Sequence, residues 1–356
     1  MSPNSKDRLI GLLLGTAVGD ALGLPAEGLS RARIERRWRG VWRHRFLFGR
    51  GMCSDDTEHT LFAAQALLAH PTDAQAFQRC LAGKFRLWLL GLPAGIGLAT
   101  LRSTLKLWLG CSPKRSGVFS AGNGPAMRSA VIGAFFADNR AKLREFVSAS
   151  TRITHTDPKA ETAALAIAEA AAWRMLQNKP LREFVESLPR LSQESEWQAL
   201  CHKMSESLAS ELSVHAFADR LGLAKGITGY AYHTVPVALY AWARHQGDFR
   251  GAMESALSCG GDTDTVGAIL GALAGADGGK QGIPQAWLCG ICDWPRSPRL
   301  LELVGERLAR QITSDKPLGP VAYFWPAVVP RNILFLWTVI IHGFARLVFW
   351  RPEPRS

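Results

Sequence analysis

The chain has 356 residues, 47% of them apolar, a formal net charge of +12 and a mean hydropathy of +0.01. That length supplies one large domain or two with a sizeable core; the composition excludes a disordered tail protein, and the pattern is not that of a polytopic membrane protein. Seven cysteines, odd in number and scattered, point to free thiols in a reducing, cytoplasmic compartment rather than a disulfide framework.

At the N-terminus Lys6 and Arg8 precede an apolar run over 9–19, the outline of a signal peptide. Against that reading, Gly11, Gly15, Gly19 and Gly23 recur at every fourth position and lay bare backbone along one helical face. A buried first helix over 9–26 is expected, with Asp20 and Glu27 placed for a site. Arginines 31, 33, 36, 37, 39, 43, 45 and 50 then crowd one segment, which reads as a loop able to meet an anionic surface or a phosphate-bearing substrate. Trp38, Trp42, Phe46 and Phe48 among them would anchor that loop on the core, and nucleic acid is not the expected partner.

Helices follow over 55–69, with Ser54 or Asp55 as cap and Leu61, Phe62, Ala64, Leu67 and Leu68 at three-four spacing, then over 74–90 and 98–109. Gly117 to Gly124 is turn-like, and Pro125 suits the first position of a helix reaching Asp138. An alanine-rich helix follows Pro158, and further helices are expected over 180–188, 193–210, 233–245, 249–258, 265–276, 283–289 and 298–311. No sustained two-residue alternation rich in Val, Ile and Thr occurs, so the fold class is all-α. Cys289 and Cys292 form a C-x-x-C pair that no second pair or histidine completes into a zinc set.

The end of the chain is a separate matter. Residues 333–345 are nearly all apolar, flanked by Arg331, Arg346 and Arg351, and the stretch 332–350 barely reaches the roughly 20 residues of a membrane span. His342 within it weakens a spanning reading, so a membrane-associated tail and a packed terminal helix are both open. The domain reading is a catalytic unit over 1–315 and a hydrophobic appendage over 316–356.

Two acidic knots carry the chemistry, Ser54-Asp55-Asp56-Thr57 and Gly261-Asp262-Thr263-Asp264-Thr265. Each opens a helix-like stretch. Either alone reads as an ordinary helix cap, but Asp-Asp and Asp-x-Asp bring more negative charge than a cap requires. If the two helix starts meet, Asp55, Asp56, Asp262 and Asp264 with the hydroxyls of Ser54 and Thr265 form an all-oxygen nest for two Mg²⁺ or Mn²⁺ ions. Two such ions about 3.5–4 Å apart lower the pKa of a water and aim it at an electrophilic carbon. Gly267, Gly271 and Gly275 continue the second knot, and the expected partner for that glycine face is Gly11–Gly23.

The segments over 15–27, 54–58, 122–128 and 260–265, with Thr154-His155 and Gly229-Tyr230 followed by Thr234, resemble the ADP-ribosylglycohydrolase family in order and separation over about residues 8–280. The resemblance implies a compact orthogonal helical bundle around a binuclear metal cleft, and hydrolysis of the bond from C1″ of ADP-ribose to an arginine, a serine, another ADP-ribose or a small-molecule acceptor. It implies Ser54, Asp55, Asp56, Asp262, Asp264 and Thr265 as metal ligands, Glu27 with Asp55 and Asp56 as the catalytic carboxylates, and Gly122, Asn123, Gly124, His155 and Tyr230 as substrate-binding residues. Met127 and Arg128 are expected to support the loop. The alternatives are an ADP-ribose-binding module without catalysis and a related hydrolase of another ribosyl or guanidinium metabolite; a monomer is expected.

Overall fold

The computed structural model describes residues 3–176 and 181–348. Its axis is a pair of antiparallel helices, Pro3–Gly23 and Thr263–Gly278, in the closest packing of the molecule. The two glycine ladders face each other. A Cβ at Gly11 would lie 2.2 Å from the carbonyl oxygen of Gly275, at Gly15 2.0 Å from that of Gly271, and at Gly19 1.9 Å from that of Gly267. Each glycine costs about 1 kcal/mol of helix propensity relative to alanine; what offsets it is backbone-to-backbone contact that no larger residue permits. The first helix is therefore a core helix, with Leu9, Leu12, Leu13, Val18 and Leu22 buried around it.

Around this pair pack Asp55–Ala69, Pro158–Leu176, Ala231–Arg244 and Pro298–Ile312. Among the described residues, named strands are limited to a two-residue ladder, Leu29 opposite Gly261 and Ser30 opposite Gly260. The all-α, compact bundle is as expected.

Three local expectations need correction. The arginine-rich segment contains a helix, Arg31–Trp38, which buries Ile34 and Trp38, pairs the largely buried Arg31 with Asp219 at 2.8 Å and leaves Arg33 and Arg36 exposed. The helix expected from Pro125 to Asp138 is two pieces, Gly124–Met127 and Ala130–Phe135. The buried Arg128 side chain between them turns back on Gly124 O and on Ser150 and Thr154. Helices Arg140–Arg152 and Val214–Arg220 lie where the sequence reading had none. Residue 180 of the helix found over Leu181–Ser187, and residues 349–356 of the appendage, including Trp350 and Arg351, lie outside the described residues.

The apolar tail is a helix, Val328–Val348, docked by one seam. Arg331 is the anchor: its guanidinium pairs with Asp293, donates to the carbonyl of Cys53 at 2.5 Å and stands 3.8 Å from Glu58. Asn332 donates to Gly91 O at 2.7 Å, and Phe335 packs edge-on against Phe46. Burying Asp293 and Glu58 is costly unless their cations stay. Arg331→Met is expected to destabilise the full chain by about 3–5 kcal/mol in urea unfolding; an unchanged midpoint would mean the seam contributes nothing.

Candidate functional site

The first knot forms because Ser54 has extended backbone and caps the helix behind it. Its hydroxyl accepts from Asp56 N–H at 3.2 Å. Asp20, fully buried at the end of the first helix, accepts from Ser54 N–H, Thr57 N–H and the Thr57 hydroxyl at 2.9–3.1 Å and 2.5 Å. Burial raises its pKa to about 7 against the pull of those hydrogen bonds. Asp20 thus holds the knot from behind, while Asp55 and Asp56 face a cleft.

The second knot is set by left-handed backbone. Gly260 and Gly261 have φ of 76° and 85°, and a Cβ on Gly261 would meet Ile227 O at 1.9 Å. That curve is locked by hydrogen bonds from Ile227 N to Gly260 O, Asp262 N to Ile227 O and Gly28 N to Gly261 O. Asp262 is left at the N-terminus of the Thr263–Gly278 helix, with Asp264 and Thr265 in its first turn.

The knots meet. Thr265 donates to Asp56 Oδ2 at 3.2 Å across 209 residues of chain, and Ser54 donates to the same oxygen at 3.2 Å. Asp55, Asp56, Asp262, Asp264 and Thr265 line one cleft of about 520 Å³ together with Glu27, Gly122, Asn123, Gly124 and His155. Ser54 sits just behind this wall. Tyr230 does not face the cleft: its backbone pairs with Gly122, and its hydroxyl lies between Glu196 and Lys159 at 2.9 and 3.0 Å.

Electrostatically the wall is dominated by acids. Asp55, Asp56 and Asp264 are held well above the usual carboxylate range, first by burial and then by their acidic neighbours. Glu27 is raised by desolvation and by Asp262, with Arg346 pulling the other way. Among the described residues, no Lys or Arg lines the cleft. Asp56 Oδ1 and Asp264 Oδ1 are buried with no hydrogen-bond partner, which is costly for an anionic oxygen. Among the described residues no three acidic, His or Cys groups already close on a single point. The donor set of carboxylates, hydroxyls and orphaned oxygens is the hard-oxygen chemistry that suits Mg²⁺ or Mn²⁺.

On the opposite side, Asn123 donates to Asp262 Oδ2 at 2.5 Å and to Thr234 Oγ1 at 2.9 Å, which orients that carboxylate. Gly122 N–H and Asn123 N–H are engaged with Ser120 Oγ and Gly229 O. What the turn chiefly offers is bare Cα surface: a Cβ at Gly122 would lie 2.9 Å from His155 Nε2. His155 pairs through Nδ1 with Thr154 Oγ1 at 2.8 Å, and burial followed by Arg128 lowers its pKa to about 3, so it is neutral. The sequence reading gave the site neither Gly95 and Gly97 nor Leu98, Ala99 and Thr100 in the first turn of the Leu98–Trp108 helix, all of which line the cleft, nor Ser120 and Thr228.

The family model described as ADP-ribosylglycohydrolase matches residues 1–317. An uncharacterised protein of Archaeoglobus fulgidus is 32% identical over 294 residues, covering 79% of this chain and 90% of its own length. The ADP-ribosyl-[dinitrogen reductase] glycohydrolase of Rhodospirillum rubrum is 28% identical over 295 residues, covering 80% and 90%. A solved structure titled ADP-ribosylglycohydrolase-related protein complex superposes with a TM-score of 0.63 at 28% identity, covering 87% of this chain and 99% of that one. With the two acidic knots converging on one cleft inside an all-helical bundle, this chain belongs to the ADP-ribosylglycohydrolase family.

Proposed function

We propose that the chain is a divalent-metal-dependent hydrolase that cleaves the glycosidic bond between C1″ of ADP-ribose and an acceptor side chain or small molecule, with residues 1–315 as its catalytic unit. Hydrolysis of ADP-ribosyl conjugates is the activity typical of the family, and divalent cations are its associated cofactors. The observation that carries the finer reading is the pair of buried, partnerless oxygens, Asp56 Oδ1 and Asp264 Oδ1, on the wall of a cleft whose lining, among the described residues, holds five acids and neither Lys nor Arg. Ser54, Asp55, Asp56, Asp262, Asp264 and Thr265 would hold two Mg²⁺ or Mn²⁺ ions. When bound, the ions supply a water of lowered pKa and a clamp for sugar oxygens.

The chain's own groups do the rest. Glu27 stands at the cleft rim with its carboxyl raised by desolvation and by Asp262, which suits it to carry a proton to or from the reacting oxygen or nitrogen. Asp55 and Asp56 serve beside it. Asn123 fixes Asp262 through its amide. His155, neutral and pinned by Thr154, offers its remaining edge to substrate beneath Gly122 and Gly124. Tyr230 contributes through its backbone link to Gly122.

Arginine-linked, serine-linked and polymeric ADP-ribose, each incubated with the purified full chain with and without Mg²⁺ or Mn²⁺, test the reading and identify the acceptor. Metal-dependent release of ADP-ribose that falls at least about 100-fold in Asp56→Ala is expected. Release that survives both chelation and the substitution would reject the mechanism. Tight ADP-ribose binding with no release from any conjugate would favour a binding module.

A further inference from the structure

The tail helix Val328–Val348 lies beyond the stretch the family model matches. Its seam of Val328, Asn332, Phe335 and Thr338 is buried, while Ile333, Leu334, Leu336, Trp337, Ile341 and Phe344 are exposed, the last two by 63% and 64%. By length and composition the segment Trp325–Arg346 is apolar enough to cross a membrane, yet only 22% of it is buried in the protein. A globular helix turns its apolar face to the core; this one turns most of it outward.

The inner seam decides how such a helix meets lipid. Arg331 is tied to Asp293 and Cys53 at one end. His342 and Arg346 are tied to Pro25 O at 3.2 and 3.3 Å, and Arg346 also to Glu27 O at 3.2 Å, at the other. Spanning would strip all of these partners and draw the charges into hydrocarbon. Lying flat keeps them and buries only the outer face.

Charge selects the kind of surface. Between residues 31 and 50 the sequence holds eight arginines and one acid, Glu35, and Arg33, Arg36, Arg39, Arg43 and Arg50 are exposed. This segment abuts the tail: Arg37 donates to Arg346 O, and Phe46 contacts Phe335 and His342. Arg37 reaches Arg346 O at 3.5 Å, and burial, followed by Arg346, Arg33 and Arg36, depresses it below its ordinary value, so a cationic group sits at the C-terminal end of the apolar strip. Phe48, two residues from the buried Phe46, is fully exposed.

We propose that the outer face of Val328–Val348, with the adjoining arginines of residues 31–50 and Phe48, is an in-plane docking surface for the anionic face of a lipid bilayer, which sets the catalytic cleft beside the membrane with the helix still packed on the protein. One apolar signal and one polybasic signal together give stable attachment where either alone is marginal.

Flotation of the full chain with phosphatidylcholine vesicles, with and without one third phosphatidylglycerol, tests this. Binding confined to the anionic vesicles and reversed by high salt is expected. Trp337→Glu with Ile341→Glu, and separately Arg33→Glu with Arg36→Glu, should each weaken it at least tenfold, since each basic residue near the surface is worth about fivefold in affinity. Neither pair touches the cleft, so hydrolysis of a soluble conjugate should be unchanged. In membranes of expressing cells, alkaline carbonate should release the chain. Equal binding to neutral vesicles, no binding to either, or retention after carbonate would each overturn the proposal. So would a stable dimer in solution that Ile341→Glu splits, because a second copy would then cover the face. Should the apolar variant aggregate, the lipid and salt comparison on the unaltered chain still decides.

Discussion

Without divalent ions, Asp264→Asn is expected to unfold at higher urea concentration than the unaltered chain, by about 1–4 kcal/mol. Asp264 is buried, its Oδ1 has no partner, and Glu27, Asp262 and Asp56 all add to the burial that raises its pKa. A carboxyl whose folded pKa lies above its unfolded value binds more protons when folded. It therefore costs stability above the unfolded value, and that cost is relieved as pH falls. Asparagine keeps the shape and removes the charge.

The same substitution should abolish the stabilisation that Mg²⁺ or Mn²⁺ gives the unaltered chain, expected at about 2.7 kcal/mol at a hundredfold excess over Kd. Urea unfolding with chelator and with metal reads both effects, neither of which involves turnover. A destabilised apo variant, or an unaltered chain indifferent to divalent ions, would mean the acidic wall is neutralised in some other way. This result and the hydrolysis assay can fail separately, since a metal-binding protein without activity passes one and not the other.

What the sequence made legible is what local chemistry controls. Ser54 before two aspartates formed the cap as read, and a Gly-Gly pair before Asp262 sets a curve within a few residues. Glycine every fourth residue on two separate helices announced their contact. The helix over Arg31–Trp38 was missed because arginine density masked Ile34 and Trp38, the two positions that bury. The break after Met127 was missed because it depends on Arg128 reaching segments more than twenty residues away, at Ser150 and Thr154. The tail was legible as apolar but not as docked. Its seam partners, Asp293, Cys53, Gly91 and Pro25, are spread over 268 residues of chain (293 minus 25), and only the fold brings them together. Asp20 was legible as an acid placed for a site; that it holds the first knot from behind, accepting three of its backbone and hydroxyl donors, is tertiary information.

Gly19→Ala, a single added methyl, is expected to cost at least about 4 kcal/mol, a large fraction of the 5–15 kcal/mol that holds a domain together. The new Cβ would stand 1.9 Å from Gly267 O and 2.4 Å from its carbonyl carbon, and both are backbone atoms in a helix. No rotamer change relieves that contact. The helices must separate by more than an ångström, and Gly15 against Gly271 and Gly23 against Thr263 lose their approach at the same time. Because Asp20 follows Gly19 directly and Asp264 lies one turn before Gly267, the separation would also pull the two acidic knots apart, so any folded fraction should respond less to divalent ions. The control is Gly83→Ala, inside the Ala74–Leu90 helix with nothing within 4 Å of the added carbon. There the same change should stabilise by up to about 1 kcal/mol through helix propensity. Opposite shifts in urea midpoint for the two variants would locate the cost in helix-helix approach. Equal, small shifts would show that the ladder tolerates side chains and that the knots are held together by something other than the glycine contact.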